Sequence, residues 1–460
     1  MSDMIGPTGD PIAEEYLEGA GAIPAPPPAS ARTEALPPRP SLWHHRDYMK
    51  LWTASTVSLL GSSVSQLAIP FIAAFVLRSS PFEVALLGAV EMTPFILFAL
   101  PAGAWLDRVR RRPVLIAGDI GRGLALLSIP IAFAAGLLTI WQLYAVGFIA
   151  GSLTVLFDVA DQSYLPALLP SEDLVEGNSK LSLPQSSAQI VGPAFAGSLI
   201  GLVAAPFAIL VDAVSFFASG ALISLIRKPE PKPERRLTES GAHTGLRQEI
   251  AEGLRYVLGN RYLRMIAGST ATSNFGSSMA FSVFAVFIYV ELGLPVWVVG
   301  TAMGLGGFGI LLGAASATRL TRRFGVGPMI VCGMFINGPG ILLIVLMPST
   351  TLVAGVLLFL SQFLLGFSAI IYNVNQVSFR QAITPIEMQG RMNATMRFVV
   401  WGVMPIGSLT GGILASFVPL RTTVLVGAAI SCTAFLWVLL SPVRTLREIP
   451  SHAGPEEPAA

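Results

Sequence analysis

Residues 103–112 read Gly-Ala-Trp-Leu-Asp-Arg-Val-Arg-Arg-Arg and lie between two long apolar segments. This loop places one carboxylate and four arginines beside segments of about 20 residues, which are long enough to cross a bilayer as helices. A soluble domain rarely surrounds such a charged loop with two apolar runs of that length. The loop therefore predicts two membrane-spanning helices joined by a short basic connection.

The composition extends this prediction to most of the chain. Hydrophobic residues make up 53% of the sequence and charged residues only 12%, about half the roughly 25% usual in soluble domains. Each apolar stretch is long enough to cross a hydrocarbon core of about 30 Å. We therefore predict an all-α membrane protein with twelve transmembrane helices, numbered here as spans 1–12, near residues 50–76, 82–106, 113–136, 140–163, 181–203, 206–226, 263–290, 296–318, 328–347, 351–377, 394–417 and 422–441.

The distribution of positive charge predicts the orientation. With both termini in the cytoplasm, only Arg78, Arg421 and Arg122 of the 29 Lys and Arg residues lie off the cytoplasmic side. The start of the chain is acidic and lacks an apolar core, so we do not expect a cleaved signal peptide. Cys332 and Cys432 lie within predicted spans, which argues against a disulfide framework. We expect a multi-pass protein of the plasma membrane, the inner membrane in a bacterium.

The predicted spans divide the chain into two bundles of six helices. A Pro- and Ala-rich first segment cannot bury enough apolar surface to fold alone, so we expect a disordered cytoplasmic tail there. The predicted divisions are the tail at 1–40, the first bundle at 41–226, a cytoplasmic linker at 227–262, the second bundle at 263–441 and a cytoplasmic tail at 442–460.

The linker contains apolar residues at helical spacing, namely Leu246, Ile250, Leu254 and Val257. Charged residues occupy the other faces. This pattern favours an amphipathic helix on the cytoplasmic membrane surface. A plain tether with an apolar stripe fits the pattern equally well.

The two halves of the sequence repeat. A shift of 211 residues pairs Arg108, Arg111 and Arg112 with a second set of three arginines, and a shift of 215 residues pairs identical residues at six places. No single match is decisive, but together they indicate an internal duplication. The six pairs are Gly151 with Gly366, Pro170 with Pro385, Glu172 with Glu387, Asn178 with Asn393, Gly192 with Gly407, and Gly197 with Gly412.

The loop at 103–112 resembles the conserved segment between helices 2 and 3 of major facilitator superfamily transporters. The resemblance implies two parallel six-helix repeats with a substrate cavity between them at the midplane. Other stretches look like the drug:proton antiporter branch, which holds macrolide-efflux proteins and siderophore exporters such as the enterobactin exporter. The resemblance covers about residues 41–447, and these stretches lie at 117–122, 164–170, 211–216, 378–382 and 390–395.

One position departs from the pattern of related drug antiporters. Those proteins carry an arginine on helix 4, four residues before a glycine, and assign it to proton coupling. If Gly151 is that glycine, Gly147 occupies the arginine position. The resemblance therefore does not transfer a coupling residue to span 4.

Ionisable residues within the hydrocarbon are costly to insert, about 2.5–3.5 kcal/mol each, so every one retained there is a functional candidate. Glu91 lies about nine residues into span 2, roughly 13 Å deep and near the midplane. It is a candidate proton site or counter-charge for a cationic substrate. The alternative is a structural hydrogen bond to a neighbouring helix.

Two further carboxylates are candidates for proton coupling. Asp119 is three residues from Arg122 on span 3, a spacing that favours a structural ion pair over a proton site. Asp212 lies one or two turns inside span 6 and fits either a second proton site or a cap for backbone groups. Thr318 replaces Asp107 in the second copy of the loop, and spans 7–12 hold no deep carboxylate. Proton chemistry is therefore expected in the first half.

A charge lock is predicted on the cytoplasmic side. Asp158 and Asp161, at the inner end of span 4, are expected to meet Arg108 and Arg112, while Asp107 faces the start of span 11. This lock would hold an outward-open state shut toward the cytoplasm. The alternative is that these charges mark the lipid headgroup boundary. The full predicted gating set is Gly103, Asp107, Arg108, Arg111, Arg112, Arg122, Asp158 and Asp161.

Polar residues deep in several spans are candidates for the substrate cavity. Together with nearby aromatic residues they suit a large, partly aromatic molecule, although aromatic residues on helices more often serve packing. These candidates are Gln66, Asn274, Gln362, Tyr372, Asn373 and Asn375.

Gly192, Pro193 and Gly197 on span 5 resemble the Gly-Pro motif of antiporters, which bends that helix and seals the bundle against leak. Close packing of small residues is the other interpretation, and both can hold together.

Other chemistries are poorly supported. The G-x-G-x-x-G match at 304–309 falls within span 8 with no preceding strand, and no lysine follows a glycine as a P-loop requires. All four histidines lie outside the spans, which removes histidine metal clusters and proton relays within the membrane. We expect no enzyme activity, cofactor, metal or nucleic-acid partner.

The sequence thus favours a monomeric, proton-driven exporter of amphipathic compounds such as macrolides, other drugs or siderophores. Its partners would be a small-molecule substrate, protons and the lipid bilayer. Two alternatives remain open. One is a non-transporting membrane receptor or scaffold of the same fold, and the other is an importer of a lysophospholipid or sugar.

Overall fold

The computed structural model describes residues 42–106, 109–170, 173–230 and 246–447. Within these ranges the protein is all-α, which confirms the predicted fold class. In this described part of the chain, eleven helices are long and apolar enough to cross a membrane. The first six long helices are α1 (Arg46–Phe71), α2 (Pro81–Leu106), α3 (Arg111–Ala134), α4 (Ile140–Leu168), α5 (Leu174–Leu202) and α6 (Ala205–Ser224).

The second half begins with the linker helix α7 (Leu246–Gly259). It continues with α8 (Arg261–Ser282), α9 (Val296–Gly306), α10 (Phe308–Phe324), α11 (Val326–Val345), α12 (Thr351–Ile383), α13 (Ile386–Ala415) and α14 (Leu420–Leu439). Predicted span 8 is thus divided at Gly307 into α9 and α10. Short π-helical turns, Ile72–Val76 and Val286–Glu291, follow α1 and α8 at equivalent positions.

The two halves show the same pattern of helix neighbours. In the first half α1 packs on α5 and α6, α2 on α4, and α3 on α4 and α6. In the second half α8 packs on α13 and α14, α9 and α10 on α12, and α11 on α12 and α14. The internal duplication seen in the sequence therefore corresponds to a repeated packing arrangement.

Two helix pairs, α2 with α13 and α5 with α9, make most of the contact between the halves. Ser408 donates a hydrogen bond to the Ala85 carbonyl over 2.8 Å. Phe71 and Tyr289 form an edge-to-face pair with centroids 4.9 Å apart. In the predicted orientation these contacts lie at the outer ends of the helices, so the halves meet on the outer side.

The linker helix is docked on the second half. Val257 is fully buried, Arg391 of α13 forms an ion pair with Glu252 over 2.6 Å, and Tyr256 donates to the Ile383 carbonyl over 3.4 Å. Protein therefore covers one face of this helix, and its predicted location on the cytoplasmic membrane surface stays a prediction.

The predicted tail at 442–460 is partly structured. Pro442–Thr445 forms a 3-10 turn, Val443 is fully buried, and Gly327 N–H donates to the Leu446 carbonyl over 2.8 Å. Residues 442–447 therefore belong to the second half. The predicted tail at 1–40 and residues 448–460 lie outside the described residues.

Candidate functional site

Glu91 lies on α2 against a glycine of α4. A Cβ added at Gly147 would approach the Glu91 Cγ to 2.9 Å, so the absent side chain makes room for the carboxylate. Gly151, one turn further, lies against the Glu91 backbone carbonyl. If Gly151 is the glycine of the antiporter pattern, the position of the antiporter arginine faces Glu91 here.

The Glu91 carboxylate is partly buried and has no hydrogen-bond or ion-pair partner among the residues that the structure describes. The predicted alternative, a structural hydrogen bond to a neighbouring helix, is not formed. A carboxylate without a partner near the midplane is unfavourable unless it binds a proton or a cation.

An apolar cavity of about 340 Å³ lies between α2 and α4, on the inner side of Glu91. Phe98 is two helical turns beyond Glu91 on α2, and Ser152 is five residues beyond Gly147 on α4. Both helices therefore lead from the carboxylate into the cavity. This cavity could not be predicted from the sequence, because its wall residues resemble ordinary lipid-facing residues. They are Phe98, Pro101, Ala102, Trp105, Ser152 and Leu156.

Arg122 is at the centre of a second charged cluster. Its guanidinium forms the predicted ion pair with Asp119, at 2.5 Å between Nη2 and Oδ1. The rings of Phe157 on α4 and Phe216 on α6 each lie 4.2 Å from the guanidinium carbon. Cation–π contacts of this kind strengthen when water is excluded, and Arg122 is only 6% exposed.

Three more aspartates surround this pair. Asp158 and Asp212 lie within electrostatic range of Arg122, and Asp161 lies near Asp119 and Asp158. Asp212 is buried and accepts hydrogen bonds from Ser215 over 3.2 Å and from Ser62 over 3.5 Å. Asp212 therefore accepts hydrogen bonds from hydroxyl groups of α1 and α6. The sequence alone suggests a proton site or a cap for backbone groups at this position.

The arginines of the basic loop have other partners than expected. Arg112 donates to the carbonyls of Ile223 over 3.2 Å and Ser224 over 2.5 Å. Arg111 lies 3.7 Å from Glu230, whose carboxylate also accepts both backbone N–H groups at 111 and 112. The Arg112 bonds satisfy carbonyls at the end of α6, and Glu230 satisfies N–H groups at the start of α3.

In this structure Arg112 bonds to the α6 carbonyls, and Asp158 and Asp161 lie within electrostatic range of Arg122, so the lock between Arg112 and these aspartates stays a prediction for the outward-open state. Asp107 and Arg108 lie outside the described residues, and Gly103 lies in the last turn of α2. A lock of the outward-open state is not expected to form when the outer ends of the halves meet.

A polar cavity of about 220 Å³ lies within the second half, between α8, α11, α12 and α13. Three predicted cavity residues, Asn274, Tyr372 and Asn373, line it. Asn337 also lines it and was missed, because α11 is otherwise apolar and supplied no second polar residue as a signal.

The other predicted cavity residues lie elsewhere. Asn375 is buried and accepts a hydrogen bond from Thr321 over 2.8 Å, joining α10 to α12. Gln362 packs against Gly306 of α9, and Gln66 is exposed on α1. These three therefore do not line the polar cavity.

The Gly-Pro motif of α5 lies at a close helix contact. A Cβ at Gly300 of α9 would clash with the Pro193 carbonyl, and one at Gly197 would lie 2.9 Å from the Gly300 Cα. Gly192 faces Ser63 of α1. Small residues here let α5 approach both α1 and α9, which is the packing interpretation of the motif.

Comparison with known proteins agrees with this architecture. The sequence model described as Major Facilitator Superfamily matches residues 51–403 and 266–459. The uncharacterized MFS-type transporter YfiS of Bacillus subtilis (strain 168) is 25% identical, over 84% of this chain and 91% of its own length. The resemblance seen in the sequence is therefore confirmed.

Two similar proteins carry efflux names. The multidrug efflux pump Tap of Mycolicibacterium fortuitum is 24% identical over 79% of this chain and 88% of its own. Macrolide efflux protein A of Streptococcus pyogenes is 23% identical over 87% of this chain and 97% of its own. The inward-facing crystal structure of a bacterial homologue of the iron transporter ferroportin has a TM-score of 0.68 at 20% identity, covering 86% and 98% of the two chains.

Proposed function

The chain belongs to the Major Facilitator Superfamily, and we propose that it exports amphipathic small molecules across the plasma membrane in exchange for protons. The observation that carries this proposal is Glu91, a carboxylate without a described partner that packs against Gly147, with an apolar cavity beginning about two helical turns further along α2. Similarity to proteins named as multidrug and macrolide efflux pumps supports the substrate class.

In the proposed mechanism the Glu91 carboxylate binds a proton and a basic group of the substrate alternately. In the inward-open state Glu91 releases its proton to the cytoplasm and then attracts a basic group of the substrate, while the cavity at Phe98 and Trp105 takes an apolar part. After the halves reorient, a proton from outside binds Glu91 and displaces the substrate. Because proton and substrate compete for the same group, substrate leaves outward only as a proton enters.

Asp119 and Asp212 are weaker candidates for the proton carrier. Asp119 is paired with Arg122, and Asp212 accepts two hydroxyl hydrogen bonds. Each partner stabilises the ionised form and so opposes cycling. We propose that this cluster instead holds α3, α4 and α6 together.

The test is proton release from energised everted membrane vesicles. After respiration acidifies the lumen and quenches a fluorescent pH-gradient probe, added erythromycin or ethidium should restore fluorescence within seconds only in vesicles that contain this protein. Vesicles from cells without the protein are the control. If erythromycin or ethidium still accumulates in the vesicles after nigericin removes the pH difference, proton antiport is contradicted. If neither compound moves, the receptor or scaffold interpretation gains support.

We also infer that both termini lie in the cytoplasm, because nearly all basic residues then face inward. In a variant with Cys332→Ser and Cys432→Ser, a cysteine placed at Ser79 should react with a membrane-impermeant maleimide added to intact cells. A cysteine placed at Arg227 should react only after the membrane is opened. The reverse labelling pattern would overturn the orientation.

A further inference from the structure

The polar cavity of the second half is built from uncharged groups. Thr270, Ser273 and Asn274 of α8 face Asn337 of α11 and Tyr372 and Asn373 of α12 across a volume of about 220 Å³. No Asp, Glu, Lys or Arg lines it. A charged ligand group would be desolvated there without a counter-charge, which is strongly unfavourable. The cavity therefore suits a neutral group.

Internal hydrogen bonds orient the three asparagines and leave part of each amide free. Ser273 donates to the Asn337 Oδ1 over 3.1 Å, and Gln376 donates to the Asn373 Oδ1 over 3.2 Å. Asn274 donates to the Val400 carbonyl over 2.9 Å. Among the described residues these bonds use the oxygens of Asn337 and Asn373 and the N–H₂ group of Asn274, and leave the two other N–H₂ groups and the Asn274 oxygen available to a ligand. Donors and an acceptor held in this way are preorganised for a ligand.

The depth of the cavity places it on a transport route. Asn337 is eleven residues into α11, or roughly 17 Å at 1.5 Å per residue, which is close to the midplane. Trp401 forms one wall and contacts Phe95 of α2 edge-to-face at 6.0 Å. The cavity therefore adjoins the contact between the two halves, where a substrate bound near Glu91 would also lie.

We propose that this cavity binds an uncharged, hydroxyl- or carbonyl-rich part of the substrate, such as a neutral sugar ring. The inference rests on the proposed export function and refines its substrate class. The volume equals roughly seven water molecules at about 30 Å³ each, enough for one substituted ring but too small for a whole macrocycle. The basic and apolar parts of the molecule would occupy the first half, at Glu91 and Phe98.

The experiment measures equilibrium binding to purified, full-length protein in detergent. The probes are erythromycin, a derivative of it that lacks the neutral cladinose sugar, and ethidium, which has no hydroxyl group. Asn337→Ala should weaken erythromycin binding about tenfold and leave ethidium binding unchanged, since it removes a hydrogen-bond donor that only the sugar uses. Removing the sugar should weaken binding to wild type similarly and cause no further loss in Asn337→Ala.

Asn178→Ala removes an exposed asparagine on α5 and is the matched control, expected to bind all probes as wild type does. If Asn337→Ala fails to fold, Asn373→Ala at the more open end of the cavity provides the same comparison. Equal losses for erythromycin and ethidium, or no loss for either, would overturn the proposal. The proposal would also be overturned if the wild-type protein bound ethidium with micromolar affinity and did not bind erythromycin. Because binding needs no proton gradient, failure of proton coupling alone would leave this result intact.

Discussion

Glu91→Gln should reduce proton-driven export to the level of membranes without the protein and weaken binding of a cationic substrate such as ethidium about tenfold, because the counter-charge is removed. Glutamine keeps the shape that packs against Gly147 and preserves the α2–α4 contact. The glutamine side chain does not ionise at physiological pH, so it can neither bind nor release a proton. The step that couples substrate release to proton entry is therefore lost. A neutral side chain also removes the cost of an unpaired charge in the membrane, so folding should be preserved.

The measurement compares two kinds of flux in proteoliposomes. Uptake driven by an imposed pH difference should disappear, whereas exchange of labelled for unlabelled ethidium should continue, because exchange requires reorientation but no net proton movement. Glu83→Gln is the matched control. Glu83 lies at the outer start of the same helix and accepts a hydrogen bond from the Ser80 N–H over 2.7 Å. The rate of ethidium transport by Glu83→Gln should stay within about twofold of the wild-type rate.

Two outcomes would contradict this assignment. If gradient-driven uptake survives in Glu91→Gln, Glu91 is not the proton carrier and the cluster at Asp119 and Asp212 becomes the next candidate. If exchange is also lost while the protein still binds ethidium, Glu91 serves reorientation rather than coupling. The comparison with Glu83→Gln excludes a general effect of removing a carboxylate from α2.

Much of the fold could be predicted because the bilayer imposes a simple length and composition rule. Apolar runs of about 20 residues marked the spans, and the repeated residues anticipated the repeated packing. The break of span 8 at Gly307 was less accessible. Leu305 and Phe308 keep the run apolar on both sides, and next to the break Gly306 packs closely against Gln362 of α12. Such a contact between distant residues leaves no local pattern.

The site was only partly predictable, for the same physical reason. Depth along a span identified Glu91 as a candidate, but its position against Gly147 depends on how α2 rotates and packs on α4. Charge at the membrane boundary suggested partners for Arg112, yet the free carbonyls at the end of α6 and the carboxylate of Glu230 satisfy this region instead. The sequence around Asn337 did not indicate a binding site, because the cavity that Asn337 lines also needs residues of three other helices.

Arg122 carries the other large expected effect, on stability. Its guanidinium forms an ion pair with Asp119, lies within electrostatic range of Asp158 and Asp212, and is enclosed by two aromatic rings. Removing one partner of a buried ion pair leaves an uncompensated charge and typically costs 3–5 kcal/mol. Here Asp119 would lose its partner, and the electrostatic repulsion among the aspartates would increase.

Arg122→Ala should therefore lower the free energy of unfolding in detergent by about 3–5 kcal/mol, measured by denaturant titration of the purified protein. Arg122→Lys retains the charge but loses the planar stacking between Phe157 and Phe216, so an intermediate loss of about 1–2 kcal/mol is expected. Adding Asp119→Asn to Arg122→Ala should recover part of the stability, because one buried charge is removed. Arg319→Ala, at an exposed position on α10, should have no measurable effect. If Arg122→Ala is as stable as Arg319→Ala, the cluster does not hold the three helices together, and a role in proton coupling becomes the better explanation for keeping these charges in the membrane.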